Sequence, residues 1–147
     1  MAVDYIVDTS VFIDCTDIID KLIDTNSKVI IPMAVIEELD GLKKCSNKPL
    51  ALLARHATKS IRRHLDGTNV LVKPTTMSGD DAIVMMATQQ NSKNLVVLTN
   101  DFALEVRLRG FGVKVENYLP PDVGELLRTS VEDIYLPKEQ ISSLFKR

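Results

Sequence analysis

The sequence predicts a three-layer α/β/α fold with a central parallel sheet of about five strands. The chain has 147 residues, a common size for one domain. Of these, 45% are hydrophobic and 26% charged, as in an ordinary globular protein. Short apolar runs typical of buried parallel strands alternate along the chain with segments of helical periodicity. This alternation is typical of a parallel sheet that helices cover on both faces.

Each predicted strand is short and apolar, and each of the first four is followed by a helical segment. The predicted strands are residues 3–7, 29–31, 70–72, 95–98 and 113–115, and the predicted helices are residues 17–24, 32–42, 50–65, 80–91 and 101–109. In the third of these helices, apolar residues recur every four residues and cations occupy the other positions. The polar stretch before it contains Asn47 and Pro49, which predict a loop.

The strand and helix pattern weakens after Pro120 and Pro121. We therefore expect one domain over residues 1–120 and a C-terminal tail or linker over residues 121–147. No apolar run approaches the roughly 20 residues of a membrane span, and the N-terminus lacks the layout of a signal peptide. These features predict a cytoplasmic protein with no membrane partner.

The chain has two cysteines, Cys15 and Cys45, and two histidines, His56 and His64. The cysteines do not form a C-x-x-C pair, and a chain of this length needs no disulfide. Reduced thiols in a cytoplasm are therefore expected. The spacing of the four residues also argues against a zinc site of the usual kind.

Acidic side chains follow four of the predicted strands, close to the point where each strand ends. In chain order they are Asp8, the pair Glu37 and Glu38, the pair Asp80 and Asp81, and Asp101. In an open parallel sheet, ligands bind beyond the carboxyl ends of the strands. We therefore expect these acids to meet at one edge of the sheet.

Helical spacing favours one acid of each pair. Glu38 shares its helix face with Val35 and Leu42, and Asp80 shares its face with Ile83. Such spacing is typical of a side chain on the inward face of a helix. We therefore predict that Glu38 and Asp80, rather than their neighbours, belong to the site.

Carboxylates packed together repel one another, and burying them unpaired is costly. A divalent cation removes this cost, and hard oxygen ligands select Mg²⁺ or Mn²⁺ over zinc. Such a site can polarise a phosphodiester and lower the pKa of a bound water. Each acid also has a simpler interpretation as a helix cap, a solvated face or a complement to a helix dipole. The convergence of acids at four successive strand ends favours a single site.

The net charge is −2, which argues against a general polyanion binder, but the cations are unevenly distributed. Residues 41–65 contain seven basic residues and no acid. Such a run is usually a solvated helix face. Because this run directly follows the helix that carries Glu38, it also suits a substrate with phosphates. Lys43, Lys44 and Arg55 are the candidate substrate-binding residues.

Four stretches carry a resemblance to a known family, in this order along the chain: Y-I-V-D-T-S-V-F-I, I-P-M-A-V-I-E-E-L-D-G-L, G-D-D-A-I-V-M-M-A and V-V-L-T-N-D-F-A-L-E-V-R. They resemble motifs of the PIN domain family, whose members are small nucleases with a parallel sheet. The resemblance covers roughly residues 3–118. It implies a set of catalytic metal ligands for Mg²⁺ or Mn²⁺, namely Asp8, Glu38, Asp80 and Asp101. It further implies polar or acidic neighbours that support the site, namely Thr9, Ser10, Asp81, Thr99 and Asn100.

The stretch I-E-E-L-D-G-L-K-K and the later I-Y-L-P-K-E-Q-I-S-S-L-F are similar to PIN domains that precede PhoH-like ATPases. No phosphate-binding G-x-x-x-x-G-K-[ST] loop occurs in the sequence. The resemblance implies RNA as substrate. It leaves open a homodimer, a PhoH-like ATPase domain or an antitoxin in trans as partner.

The expected function is therefore that of a Mg²⁺- or Mn²⁺-dependent endoribonuclease that cleaves single-stranded RNA. Two alternatives stay open: a catalytically silent RNA-binding or scaffold module, and the toxin of a toxin–antitoxin pair. A phosphatase of the haloacid dehalogenase type is disfavoured, because it needs a second Asp two residues after Asp8, where Ser10 stands. A response regulator is disfavoured because Asp8 has no acidic neighbour.

Overall fold

The computed structural model of the protein describes residues 3–23, 26–90 and 94–119. The described residues form five strands, β1 (Asp4–Val7), β2 (Lys28–Pro32), β3 (Val70–Lys73), β4 (Leu95–Leu98) and β5 (Lys114–Glu116). They also form six helices, α1 (Thr9–Asp14), α2 (Ile18–Ile23), α3 (Met33–Lys43), α4 (Lys48–His64), α5 (Gly79–Gln89) and α6 (Phe102–Gly110). The five predicted strands are all present, each within two residues of its predicted bounds.

The five strands form one parallel sheet in the order β3-β2-β1-β4-β5. The chain moves outward from β1 to β2 and β3, then crosses back to β4 and moves outward again to β5. Because crossovers between parallel strands are right-handed, α1 to α4 cover one face of the sheet, and α5 and α6 cover the other. The predicted three-layer α/β/α class is confirmed. The direction of winding reverses between β1 and β4, where an open sheet of this kind leaves a crevice for a ligand.

Burial explains why the strands read as unbroken apolar runs. The side chains of Ile6 and Val7 in β1, and of Val29, Ile30 and Ile31 in β2, are all buried. Consecutive residues of a strand point to opposite faces of a sheet. A strand that helices cover on both sides must therefore be apolar at every position, which is the pattern that the sequence shows.

Helix α1 was not among the predicted elements. It has only six residues, fewer than a periodic pattern needs to be recognised. Its side chains Val11, Phe12 and Ile13 are nevertheless buried, and the N–H of Cys15 donates to the carbonyl of Val11 at 2.8 Å. Packing against α3 and α4 therefore stabilises a helix too short to be stable alone.

Helix α4 begins two residues earlier than predicted. Asn47 is its N-cap, and the side chain of Asn47 accepts a hydrogen bond from the N–H of Leu50 at 3.1 Å. Pro49 lies in the first turn, where a missing N–H costs nothing. The residues that α4 buries are mostly small, namely Ala51, Ala54, Ala57, Ser60 and Ile61. Small side chains allow α4 to pack closely against α3, the helix that carries Glu38.

Cys15 and Cys45 are both free thiols. Burial, together with a hydrogen bond that its thiol donates to Asp17 at 3.1 Å, raises the pKa of Cys15 to about 11. A thiol with so high a pKa is a poor nucleophile.

Every helix in the described part of the chain is too short or too polar to serve as a transmembrane span. The predicted tail over residues 121–147 lies outside the described residues.

Phe12 and Phe102 provide a matched test of the core. Phe12 is 0% exposed and Phe102 is 75% exposed. We expect Phe12→Ala to lower the free energy of unfolding by about 3–5 kcal/mol, because it leaves a cavity in the hydrophobic core. Phe102→Ala should change that free energy by no more than about 0.5 kcal/mol. Urea denaturation followed by circular dichroism measures both, and equal losses would contradict the packing described for α1.

Candidate active site

Asp8 lies at the centre of the acidic edge of the sheet. It directly follows β1 and is only 5% exposed. Its Oδ2 accepts one hydrogen bond from the Ser10 hydroxyl and another from the Thr99 hydroxyl, each at 2.8 Å. A buried carboxylate is costly unless it is hydrogen-bonded. Two hydroxyl donors from segments far apart in the sequence offset that cost.

Strand register explains how Asp8 and Thr99 meet. Val7 pairs with Leu98 in parallel register between β1 and β4, so the next residue of each strand emerges at the same edge. The N–H of Asp8 also donates to the carbonyl of Leu98 at 3.0 Å. Asp8 and Thr99 therefore meet at the point where the winding of the sheet reverses.

The helix-cap interpretation holds for Asp101 but not for Asp8. Asp101 Oδ1 accepts hydrogen bonds from the N–H groups of Ala103 at 2.9 Å and Leu104 at 3.2 Å, which makes it the N-cap of α6. Asp8 occupies the N-cap position of α1 but makes no such bond. Within the described ranges, Oδ2 of Asp101 accepts no hydrogen bond. One oxygen of Asp101 therefore stabilises its helix, and the other is left for a ligand.

Glu38 on α3 and Asp80 on α5 are linked to Asp8 by their charges. Partial burial raises the pKa of Glu38, and the negative charges of Asp8 and Asp80 raise it further. Partial burial likewise raises the pKa of Asp80, followed by the charges of Asp8 and Asp101. Asp8 thus acts on both Glu38 and Asp80, and Asp101 acts on Asp80.

The choice within each acidic pair has a different basis on the two helices. On α5, Asp80 is partly buried while Asp81 is exposed, as the helical spacing predicted. On α3, both Glu37 and Glu38 keep much of their surface in water. Glu38 is therefore distinguished by its electrostatic coupling to Asp8 and Asp80 rather than by its accessibility.

The acids do not converge as closely as a metal site requires. In residues 3–23, 26–90 and 94–119, no three acidic, histidine or cysteine side chains are placed to hold one metal ion together. The chemistry of the donor set, carboxylate oxygens with mutual repulsion, still fits a hard divalent cation. The candidate site is therefore a set of coupled carboxylates rather than a formed coordination sphere.

Thr9 adds a polar group that no described residue satisfies. Its side chain is 7% exposed, and its hydroxyl makes no hydrogen bond of standard geometry within the described part of the chain. The hydroxyl nevertheless lies close enough to Glu38 to act on that carboxylate, whose pKa it lowers against the stronger effect of burial. A buried hydroxyl beside coupled carboxylates is a further donor for a ligand at this edge.

Asn100 ties the site to two other segments. Its Nδ2 donates to Asp14 Oδ2 and to the carbonyl of Tyr118, each at 2.7 Å. Its Oδ1 accepts from the N–H of Tyr118 at 2.8 Å. The neighbouring Asn117 donates to the carbonyl of Thr99 at 2.7 Å. Sequence reasoning included Asn100 but missed these neighbours, because nothing local marks Asp14, Asn117 or Tyr118 as lying close to the end of β4.

The predicted substrate-binding cations lie outside the acidic set. Lys43 and Lys44 both pair with Asp40, at 3.2 and 3.5 Å. Arg55 on α4 is exposed and makes no ion pair with any described residue. None of these cations contributes to the altered pKa of Glu38. They form a neighbouring surface on α3 and α4 rather than part of the acidic edge.

Comparison with known proteins agrees with this architecture. A family model described as PIN domain matches residues 5–119, and no curated protein matches the sequence. The fold is similar to a solved domain of a functionally unknown protein from Methanocaldococcus jannaschii, with a TM-score of 0.60 and 22% identity. That alignment covers 81% of this chain and 93% of the other. At such identity, the likeness shows the fold alone.

The repulsion at Asp80 predicts a pH-dependent stability. Because the folded state raises the pKa of Asp80, its contribution to stability is present at low pH and lost as the pH rises through the raised value. In EDTA at neutral pH, Asp80→Asn should therefore melt a few degrees higher than the wild type, and the gap should close under acid conditions. Asp66→Asn, at an exposed turn residue, is the control. Thermal melts across pH would contradict the repulsion if Asp80→Asn melted lower than the wild type at neutral pH.

Proposed function

The chain belongs to the PIN domain family, as its sequence motifs predicted, and from that premise we propose that it is a Mg²⁺- or Mn²⁺-dependent endoribonuclease. PIN domains are in general nucleases that use divalent metals. The observation that carries the proposal is that Asp8 and Asp101 leave the sheet at its reversal point, and that their charges help to raise the pKa of Asp80, as the charge of Asp8 does for Glu38. Stability alone gives no reason to keep repelling carboxylates together at that edge.

These four carboxylates would hold the metal, which when bound polarises the phosphodiester and acidifies a bound water. The protein's own contribution begins at Asp8. The hydroxyls of Ser10 and Thr99 hold one oxygen of Asp8 in place, so the other keeps a defined direction. Thr99 in turn accepts a hydrogen bond from the N–H of Asp101 at 3.1 Å, which links two of the acids through one hydroxyl.

RNA as substrate is supported by the charges on α4. Lys48, Arg55, Lys59 and Arg62 are all exposed and none pairs with a described acid. Their spacing of seven, four and three residues places them along one side of the helix. Because α4 packs against α3, a row of cations runs beside the helix that carries Glu38. Such a row suits the phosphates of a single strand.

The direct test is cleavage of a labelled single-stranded RNA in EDTA, Mg²⁺ or Mn²⁺. We expect metal-dependent cleavage by the wild type. Asp8→Asn should lower kcat/KM by more than the roughly 10–100-fold that removal of an outer-shell partner costs. Thr99→Val removes a hydroxyl that holds Asp8, and we expect it to lower kcat/KM by about 10–100-fold. Asp66→Asn is the matched control and should cleave like the wild type.

The basic surface on α3 and α4 gives a separate prediction. Reversal of Lys43, Lys44 and Arg55 to Glu should weaken RNA binding, and the slope of log Kd against log salt should fall by about 0.7 for each phosphate that the variant no longer neutralises. Lys28→Glu is the control, because Lys28 begins β2 at the opposite edge of the sheet. An unchanged salt slope in the triple variant would make this surface a solvated helix face.

One observation favours a second candidate, a catalytically silent RNA-binding module. No three metal-ligating side chains of the described residues stand close enough to share an ion. RNA that is bound but left uncut under every metal would select this candidate. Thermal stabilisation by Mn²⁺ in the wild type, absent from Asp80→Asn, would count against it.

A further inference from the structure

A cation that the sequence did not single out lies at the acidic edge. Nη2 of Arg107 on α6 donates to Oδ1 of Asp81 on α5 at 2.7 Å. Asp81 is adjacent in the chain to Asp80, one of the four coupled acids. The pair therefore spans two helices of the same face at the mouth of the site.

Helix geometry explains how Arg107 reaches this edge. Asp101 is the N-cap of α6, and Arg107 lies less than two turns further along the helix. Side chains on a helix lean toward its N-terminus, so a long arginine extends back toward the carboxyl ends of the strands. Its guanidinium meets Asp81 in the first turn of α5, the turn that also carries Asp80.

The charge of Arg107 acts on the site. Asp8, Asp101 and Asp81 all raise the pKa of Asp80, and Arg107 lowers it. Among the described residues, Arg107 is the cation that acts on Asp80 in this way. An anion approaching the four acids would meet net repulsion, which Arg107 locally reduces.

The ion pair itself is a weak structural element. The side chains of Arg107 and Asp81 are 45% and 60% exposed, and pairs this exposed contribute little to stability. The guanidinium has five N–H donors in a planar fork, and Asp81 engages one of its nitrogens. The remaining donors match the two oxygens of a phosphate, for which arginine is the preferred side chain.

We propose that Arg107 binds a phosphate of the RNA backbone beside the acidic edge, with Asp81 as the positioning residue that orients its guanidinium. This inference rests on the proposed function, since it names the group that brings a polyanion to a cluster of carboxylates. It differs from the α4 surface, because Arg107 lies on the opposite face of the sheet. A single RNA strand that contacts both Arg107 and the α4 surface would cross the edge of the sheet at Asp8.

The test is RNA affinity in EDTA, measured by fluorescence anisotropy of a labelled single strand over a salt series. We expect Arg107→Gln to weaken binding several-fold and to lower the salt slope by about 0.7. Arg107→Lys keeps the charge but not the fork, so it should keep the slope and lose part of the affinity. Asp81→Asn keeps an oxygen that can accept from the guanidinium of Arg107 and removes a negative charge, so it should bind RNA at least as well as the wild type.

Arg109 provides the matched control. It lies on the same helix, pairs with Glu105 at 2.8 Å and is similarly exposed. Arg109→Gln should leave affinity and slope unchanged. Circular dichroism melts of each variant verify that all are folded.

The outcomes separate this inference from the proposed function. Equal salt slopes for Arg107→Gln and the wild type would overturn the inference. A loss of RNA affinity in Asp81→Asn equal to that in Arg107→Gln would also overturn it, because the ion pair would then serve only to link α5 and α6. Absence of RNA binding by the wild type would overturn it as well. A wild type that binds RNA but never cleaves it, with the slope still lowered in Arg107→Gln, would refute the ribonuclease and leave the phosphate contact standing.

Discussion

The parallel pairing of β1 with β4 is the constraint on which the acidic edge depends. These strands are separated by almost ninety residues, yet Val7 and Leu98 stand in register. The two chain segments leave the sheet side by side. The segment after β1 then turns into α1 on one face of the sheet, and the segment after β4 turns into α6 on the other face. Asp8, Thr99 and Asp101 lie at the point where the two segments diverge. A shift of the register by one residue would turn Asp8 toward the other face of the sheet.

The same edge shows how the fold accommodates charges that repel. Asp8 is buried and held by two hydroxyls, while Asp101 uses one oxygen to cap the backbone of α6. Glu38 and Asp80 keep part of their surface in water. The burial of these carboxylates is therefore graded, and the most buried one, Asp8, accepts two hydrogen bonds from side-chain hydroxyls. Arg107 adds an exposed cation and Thr9 a buried hydroxyl beside these acids, so the edge offers both donors and acceptors.

Much of this organisation could be predicted from the sequence, since it depends on short-range patterns. The strands are apolar at every position because both faces are covered, and an acid follows each of the first four strands at or shortly after its end. The spacing on α5 predicted that Asp80 would be more buried than Asp81, whereas on α3 both Glu37 and Glu38 are exposed. The contacts that depend on tertiary structure could not be predicted. The hydrogen bond from Thr99 to Asp8 needs the pairing of two distant strands, and the pairing of Arg107 with Asp81 needs the relative placement of two helices. The sequence pattern did not predict helix α1, because the stability of this helix comes from packing rather than from its own periodicity.

The hydrogen bonds of Asn100 have a consequence for how the molecule opens. One side-chain amide joins the end of α1, the end of β4 and the backbone after β5, three segments that are distant in the sequence. We expect segments tied in this way to exchange their amide protons as one cooperative unit rather than fraying one at a time. The free energy needed to expose the N–H of Tyr118 to solvent is then tied to the free energy that holds α1 beside the acids. Hydrogen exchange at the end of the described chain would thus report on the integrity of a site that lies elsewhere in the sequence.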